Sequence, residues 1–304
     1  MNAEELSEGL IIRIKGSDHV VYDDGEEVSC SVRGRFRIGR GEQEILPAVG
    51  DTVEYRRESG LITAVRPRRS VFARAETRGR RGERILGANL DFVFLVHSVR
   101  DPVINARLID RMLTSAERDS IEPVIVVNKI DLLEDAEGLA ETLSPYPAMD
   151  YRVIRASAVT GEGTGQLAEL MKGRITMLAG PSGGGKTSLL SRIEPGIDAR
   201  ISDVSSSTGK GRHTTTHFEL HRLSSGGWLG DSPGMREFGI RGVEKEELGE
   251  YFRDFDEYIG SCRFNRCTHS HEPDCAVKEA VEKGDISGGR YESYLRILES
   301  LDEV

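Results

Sequence analysis

Two short runs in this chain of 304 residues hold the chemistry of a nucleotide pocket. Gly180-Pro181-Ser182-Gly183-Gly184-Gly185-Lys186-Thr187 has the spacing of a Walker A loop, and Ser188 follows it. Glycines let successive backbone N–H groups turn inward on phosphate oxygens; the lysine adds a point charge for the terminal phosphates, and the threonine hydroxyl is a ligand for Mg2+. Asn128-Lys129-Ile130-Asp131 reads as a base-specificity motif. A carboxylate at Asp131 accepts two hydrogen bonds from guanine N1–H and its exocyclic amine, a donor pair that adenine lacks. Ser157-Ala158 follows a strand pattern and is placed to bring a backbone N–H to guanine O6. The base motif precedes the Walker loop, the reverse of its order in ordinary GTPases, so this region reads as circularly permuted.

Asp231-Ser232-Pro233-Gly234 supplies the remaining phosphate-side groups. Asp231 is expected to hold Mg2+ through water, and Gly234 to meet the γ-phosphate with its N–H. Between the two lies a polar stretch with Gly211-Arg212-His213-Thr214-Thr215-Thr216, in which Thr215 is the expected additional Mg2+ ligand. Met235 stands where many GTPases carry a glutamine that orients the attacking water, and a thioether cannot do that. His213 is the substitute candidate. The expected catalytic set is therefore His213, Lys186 and Thr215.

Cys262, Cys267, His269 and Cys275 form a C-x4-C-x-H-x5-C pattern. Three thiolates and one imidazole satisfy tetrahedral Zn2+ with no open position, which points to one structural ion. His271 is a rival nitrogen ligand on spacing alone. Cys30 stands apart in a strand pattern and reads as core, as does Trp228; His97 receives no role.

These groups need a frame. From about Gly9 to Val71, runs such as Gly9–Ile14, His19–Tyr22, Val28–Val32, Gly50–Tyr55 and Gly60–Val65 read as short strands, a pattern suited to a small barrel, with the oligonucleotide-binding (OB) type one candidate. Arg66 to Ala88 reads as a turn-rich basic connector. Strand and helix patterns then alternate: Phe92–Val96, Asn105–Arg118, Pro123–Val127, Asp135–Leu143, Tyr151–Arg155, Thr164–Met171, Ile175–Ala179 and Lys186–Ile193. Such alternation is the signature of a parallel sheet covered on both faces. From Val243 onward the chain reads as short helices interrupted by the cysteines.

A net charge of −10 argues against a generic polyanion binder, yet Arg66, Arg68, Arg69, Arg74, Arg78, Arg80, Arg81 and Arg84 crowd one stretch. On charge alone that run suits RNA or a solvated loop equally. No apolar run has the length of a membrane span and the N-terminus is acidic, so a cytoplasmic protein with no membrane partner is expected.

Taken together, the permuted motif order, the 211–216 stretch, Asp231 to Gly234 and the cysteine spacing make the chain resemble the ribosome small-subunit-dependent GTPase A (RsgA) family over nearly its whole length. The resemblance implies a multidomain α/β protein: an OB-type β-barrel over 1–71, a circularly permuted P-loop GTPase domain over 72–241 and a helical zinc-binding domain over 242–304. It also implies GTP hydrolysis in late maturation of the small (30S) ribosomal subunit, stimulated by that subunit, with GTP, GDP and rRNA as partners and a monomeric state. A hydrophobic residue in place of the glutamine is a trait of the family, and its proposed catalytic histidine maps to His213. Gly184, Thr187 and Ser232 depart mildly from the family's common Val, Ser and Thr.

Overall fold

In the computed structural model five N-terminal strands close on themselves. The structure describes residues 6–32, 36–37, 44–75, 83–197, 218–231, 240 and 242–301. Strands β1 (Leu6–Lys15), β2 (Asp18–Asp23) and β3 (Glu26–Val32) form a meander; the two-residue β4 (Phe36–Arg37) and β5 (Glu44–Ile45) pair with each other; β6 (Thr52–Arg56) and β7 (Leu61–Val65) complete the barrel in the order β1-β2-β3-β7-β6. The β3–β7 pairing is parallel and the others are antiparallel, the Greek-key arrangement of the OB type. Closure depends on β1, which pairs with β6 through its first half and with β2 through its second, with a bulge between Ile11 and Arg13. Ile11, Val21, Cys30, Val53, Tyr55 and Ile62 fill the interior. The Tyr55 hydroxyl donates to Asp23 at 2.7 Å, and burial, with Asp23 beside it, pushes that phenol up to about 12.

The stretch expected as a connector contains a hairpin, β8 (Val71–Ala75) with β9 (Glu83–Ala88). Arginine density hid the apolar positions: Phe72 is buried against Phe218, ring centroids 5.7 Å apart, and a Cβ on Gly87 would lie 2.5 Å from the Phe218 ring. Three of the clustered arginines are already engaged. The Arg68 side chain, 8% exposed, pairs with Asp51 at 2.7 Å, Arg66 meets Glu8 and Glu54, and Arg69 meets Asp91.

Beyond the hairpin come β10 (Phe92–Ser98), α1 (Ala106–Arg118), β11 (Glu122–Asn128), α2 (Ala136–Leu143), α3 (Pro145–Ala148), β12 (Arg152–Arg155), α4 (Thr164–Met171), β13 (Ile175–Ala179), α5 (Lys186–Ile193), β14 (Glu219–Arg222) and β15 (Trp228–Asp231). The six strands form one sheet, ordered β12-β11-β10-β13-β15-β14, parallel except for β14. Strand runs such as Val124–Val127 are apolar at every position because α1, α2 and α3 cover one face (Ile109, Met112, Leu139, Tyr146) and α4 and α5 the other (Leu167, Met171, Leu189, Leu190). The chain leaves β10 toward β11 on one side and reaches β13 from the other, so a topological switch lies between β10 and β13, where sheets of this kind bind ligands.

The C-terminal layer packs two 3-10 turns (Leu248–Tyr251, Arg253–Phe255), α6 (Ala276–Lys283) and α7 (Gly288–Ser300) around Leu248, Phe252, Phe255, Tyr294 and Ile297. It is fastened to α1. Arg290 is buried and donates to Asp110 at 2.6 Å and to Asp254 at 2.8 Å; Asp110 also accepts from Tyr146 at 3.0 Å. Arg253 pairs with Glu117 at 2.7 Å and stacks over the Tyr151 ring at 4.2 Å. Among the described residues, no helix is long and apolar enough to cross a membrane.

Candidate functional site

Because the sheet strands run parallel, their carboxyl ends share one edge, and most of the expected site residues lie there. Ala179 ends β13 and opens the Walker loop; Asn128 ends β11; Ala156 and Ser157 follow β12; Asp231 ends β15. The loop shape requires glycine at its two ends. Gly180 has φ +141° and a Cβ there would sit 2.2 Å from the Val96 carbonyl oxygen; Gly185, the N-cap of α5, has φ +87° and a Cβ there would sit 2.2 Å from Asn128 Nδ2. The Lys186 ammonium lies inside the curl, donating to the carbonyls of Gly180 at 2.8 Å and Pro181 at 2.9 Å. Ser182, Gly183, Thr187 and Ser188 are exposed around it, whereas Gly184 is buried.

The two motifs are physically joined. Asn128 is buried, and its Nδ2 donates to the Gly184 carbonyl at 2.9 Å, across 56 positions of sequence. Lys129 takes a left-handed backbone (φ 61°) and sends its ammonium to the carbonyls of Arg100 at 3.1 Å and Asp101 at 2.6 Å. Those carbonyls belong to the 99–105 loop, which the Ser98 hydroxyl fastens by donating to Pro102 O at 2.7 Å. Ile130 opens a 3-10 turn that leaves Asp131 exposed. The buried Ser157 hydroxyl donates to Asp131 Oδ1 and accepts from the N–H groups of Val159 and Thr160. The backbone N–H of Ser157 is engaged with Glu162 O at 3.0 Å, which leaves Ala158 as the member of that pair suited to a base carbonyl.

The pocket's chemistry follows from these contacts. It offers a glycine-rich loop and an ammonium at a helix start and, with β10 between, an oriented carboxylate for a donor pair on a planar base. Thr215, His213 and Gly234 lie outside the described residues, as does Met235; Asp231 is placed by its pairing with Glu219. His97, given no role from the sequence, is buried near Lys186 of the Walker loop. Burial, reinforced by the Lys186 charge, lowers its pKa to about 4, so the imidazole is neutral at physiological pH. The carbonyls of Arg100 and Asp101 were equally illegible, since main-chain acceptors carry no residue-type signal.

The cysteine cluster assembles away from this edge, in the C-terminal layer. The ligand atoms of Cys262, Cys267, His269 and Cys275 all lie within 4.8 Å of one another. His269 Nδ1 is 3.5 Å from Cys262 Sγ and 3.4 Å from Cys275 Sγ, and those two sulfurs are 3.8 Å apart. A tetrahedron with metal–sulfur bonds of about 2.3 Å and a metal–nitrogen bond of about 2.0 Å has edges of roughly 3.5–3.8 Å, which the three distances among Cys262, His269 and Cys275 match. His271 is exposed and bonded to Ser270 at 3.0 Å, so the imidazole in the cluster is that of His269. Burial pushes the Cys267 thiol up to about 12 and raises Cys275 as well, so thiolates persist there only opposite a cation. The loop has its own clamp. Burial works against the Glu272 charge, but donors from Thr268 and Ser270 outweigh it and hold the carboxyl at about 2. Tyr291 and Tyr294 donate to the carbonyls of His269 and Thr268, each at 2.7 Å.

Comparison with known proteins agrees with this architecture. The family model described as RsgA GTPase matches residues 65–241. A protein of Chlorobaculum parvum named small ribosomal subunit biogenesis GTPase RsgA is 39% identical over 98% of this chain and 99% of its own length. One of the same name from Gemmatimonas aurantiaca is 41% identical over 96% and 97%. Among solved structures, YjeQ from Thermotoga maritima superposes with a TM-score of 0.78 at 35% identity, covering 98% of this chain and 99% of that one. YloQ, described as a circularly permuted GTPase, superposes with a TM-score of 0.75 at 30% identity over 99% and 97%.

Proposed function

This chain belongs to the RsgA GTPase family, and from that premise we propose that it hydrolyses GTP during late maturation of the small ribosomal subunit, stimulated by the subunit and in contact with its rRNA. The observation that carries the reading is the bond from Asn128 to Gly184, which makes one pocket of the base motif and the phosphate loop. In this pocket the Walker loop amides and Lys186 hold the phosphates; Asp131, oriented by Ser157, reads guanine; Asn128 and Lys129 brace the two halves. Thr187, Thr215 and Asp231 would hold Mg2+, Gly234 would meet the γ-phosphate, and His213 would orient the attacking water. Mg2+ would supply charge neutralisation on the β- and γ-phosphates.

Zn2+ is the ion for the Cys262, Cys267, His269 and Cys275 set, where three soft thiolates and an imidazole favour it over harder cations. The protein acts as a monomer in the cytoplasm, where small subunits mature. Of the basic run, Arg68 is shielded in its ion pair with Asp51, whereas Arg66 and Arg69 are exposed in theirs and can exchange a carboxylate for a phosphate.

The deciding experiment is multiple-turnover GTP hydrolysis titrated with purified small or large ribosomal subunits. Stimulation by the small subunit alone is expected. Turnover that ignores both subunits, or ATP used as readily as GTP, would sink the proposal.

A further inference from the structure

The loop between the first two cysteines of the metal cluster has a composition its packing does not explain. Its residues, Arg263-Phe264-Asn265-Arg266, are all exposed. Phe264 keeps 44% of its surface open, and among the residues whose side chains are described no other Phe, Tyr or Trp is exposed to that degree. The core of this layer is built from other rings, those of Phe252, Phe255 and Tyr294. An aromatic ring left in water forgoes its burial free energy, so packing does not account for its place here.

The loop is also tethered at several points. Cys262 and Cys267 tie both its ends to the metal cluster. The Arg263 N–H donates to Asp274 O at 3.2 Å, its guanidinium pairs with the Asp274 carboxylate at 2.9 Å, and the same guanidinium lies 5.7 Å from the Phe264 ring centroid. A contact made through a ring so fixed costs little ordering entropy.

Charge around the ring is divided. Arg263 and Arg266 flank it along the loop, while the 270 Å³ cleft that Phe264 helps to line carries Glu246 and Glu250. An unpaired nucleotide matches this division. Its phosphate is drawn to the guanidinium side and repelled from the carboxylates, its base has a face for the ring, and an exocyclic amino group gives the carboxylates a donor. We infer that Phe264 is a stacking platform for one unpaired, amino-bearing base of RNA, with Arg263 and Arg266 on the neighbouring phosphates. The inference rests on the reading that the chain contacts rRNA, and it names one point of contact.

The test uses the full-length, metal-loaded protein and its Phe264→Ala, Phe264→Leu and Phe264→Trp variants, checked for unchanged metal content. Binding is measured to purified small ribosomal subunits and, separately, to short oligoadenylate and oligouridylate. Loss of one stacked base is expected to weaken subunit binding about tenfold in the Ala variant. The Leu variant should be as weak, the Trp variant near wild type, and a photo-crosslink from the 262–267 peptide to rRNA should vanish in the Ala variant. Subunit affinity of the Ala variant within about twofold of wild type, or Leu restoring binding with no crosslink to RNA, overturns the inference; the latter result would mark an apolar protein contact. If the wild-type protein fails to bind subunits, the functional reading fails instead. The oligonucleotides then decide this point by themselves: oligoadenylate preferred over oligouridylate, with the preference lost in the Ala variant, supports stacking, and identical behaviour of the two proteins refutes it.

Discussion

Replacing Asn128 with alanine separates a residue that reads the base from one that shapes the phosphate loop. Asn128 is buried at the end of β11, and its amide is the donor to the buried Gly184 carbonyl. Asn128→Ala keeps the strand but removes that donor, leaving the buried Gly184 carbonyl without its side-chain partner. An unpaired buried carbonyl costs about 1–3 kcal/mol. The cost falls on the loop conformation competent to bind phosphate, so affinity for GTP and GDP should drop together by roughly 5- to 150-fold. A purely base-reading asparagine would behave differently, because a ligand without a base would not feel its loss. Displacement of a fluorescent GDP by unlabelled GDP, GTP and inorganic triphosphate tests this directly. The reasoning is refuted if the variant binds GDP within about threefold of wild type, or if triphosphate competes equally well against both proteins after allowance for the weaker fluorescent ligand.

Asp131→Asn should lower GTP affinity by several orders of magnitude, roughly 10⁴-fold if the site behaves as one built around hydrogen-bonding groups, and raise affinity for xanthosine triphosphate, whose C2 carbonyl accepts from the new amide; equal loss of both nucleotides would count against the Asp131 role. Arg290→Met leaves Asp110 buried with only Tyr146 as partner, which should cost about 3–5 kcal/mol by denaturant unfolding, part of it recovered on adding Asp110→Asn. Stripping the metal with a strong chelator should make the C-terminal layer susceptible to protease while the six-stranded sheet persists; proteolysis equal in both regions would deny the metal a local structural role. Glu272→Gln tests the metal-loop clamp: a carboxyl lowered from 4.5 to about 2 stabilises the fold fully above pH 4.5 and loses that contribution as pH falls toward 2, so the wild-type advantage in melting temperature should be constant from pH 7 to about 5 and shrink below 4.5.

The parts of the fold governed by local pattern were readable from the residues. The helices Thr164–Met171 and Lys186–Ile193 have the bounds that their periodicity predicts, and the barrel follows from alternation and turn residues. The β8–β9 hairpin was hidden because its flanking arginines mimic a solvated connector, while the burial of Phe72 depends on Phe218, far off in sequence. Arg290 and Asp110 lie in helices where a charged residue reads as surface; only the meeting of two helices 180 positions apart turns both into buried partners. The choice between His269 and His271 needed coordinates, because one intervening residue separates their side chains and spacing alone admits either.

Helix α1 gives the molecule a rigid strut. It leaves the loop whose carbonyls grip Lys129, runs 13 residues, and along its length is bolted to the cysteine-bearing layer by Asp110, Glu117 and Arg107. Thirteen residues span about 20 Å, so a tilt of roughly 10° at the pocket swings the far end by about 3 Å. A small change in how that loop seats against the nucleotide would thus be magnified into travel of α7, a geared response that bypasses the chain after Asp231. Identical amide exchange in Gly288–Ser300 with and without bound nucleotide would show that the gear is not engaged.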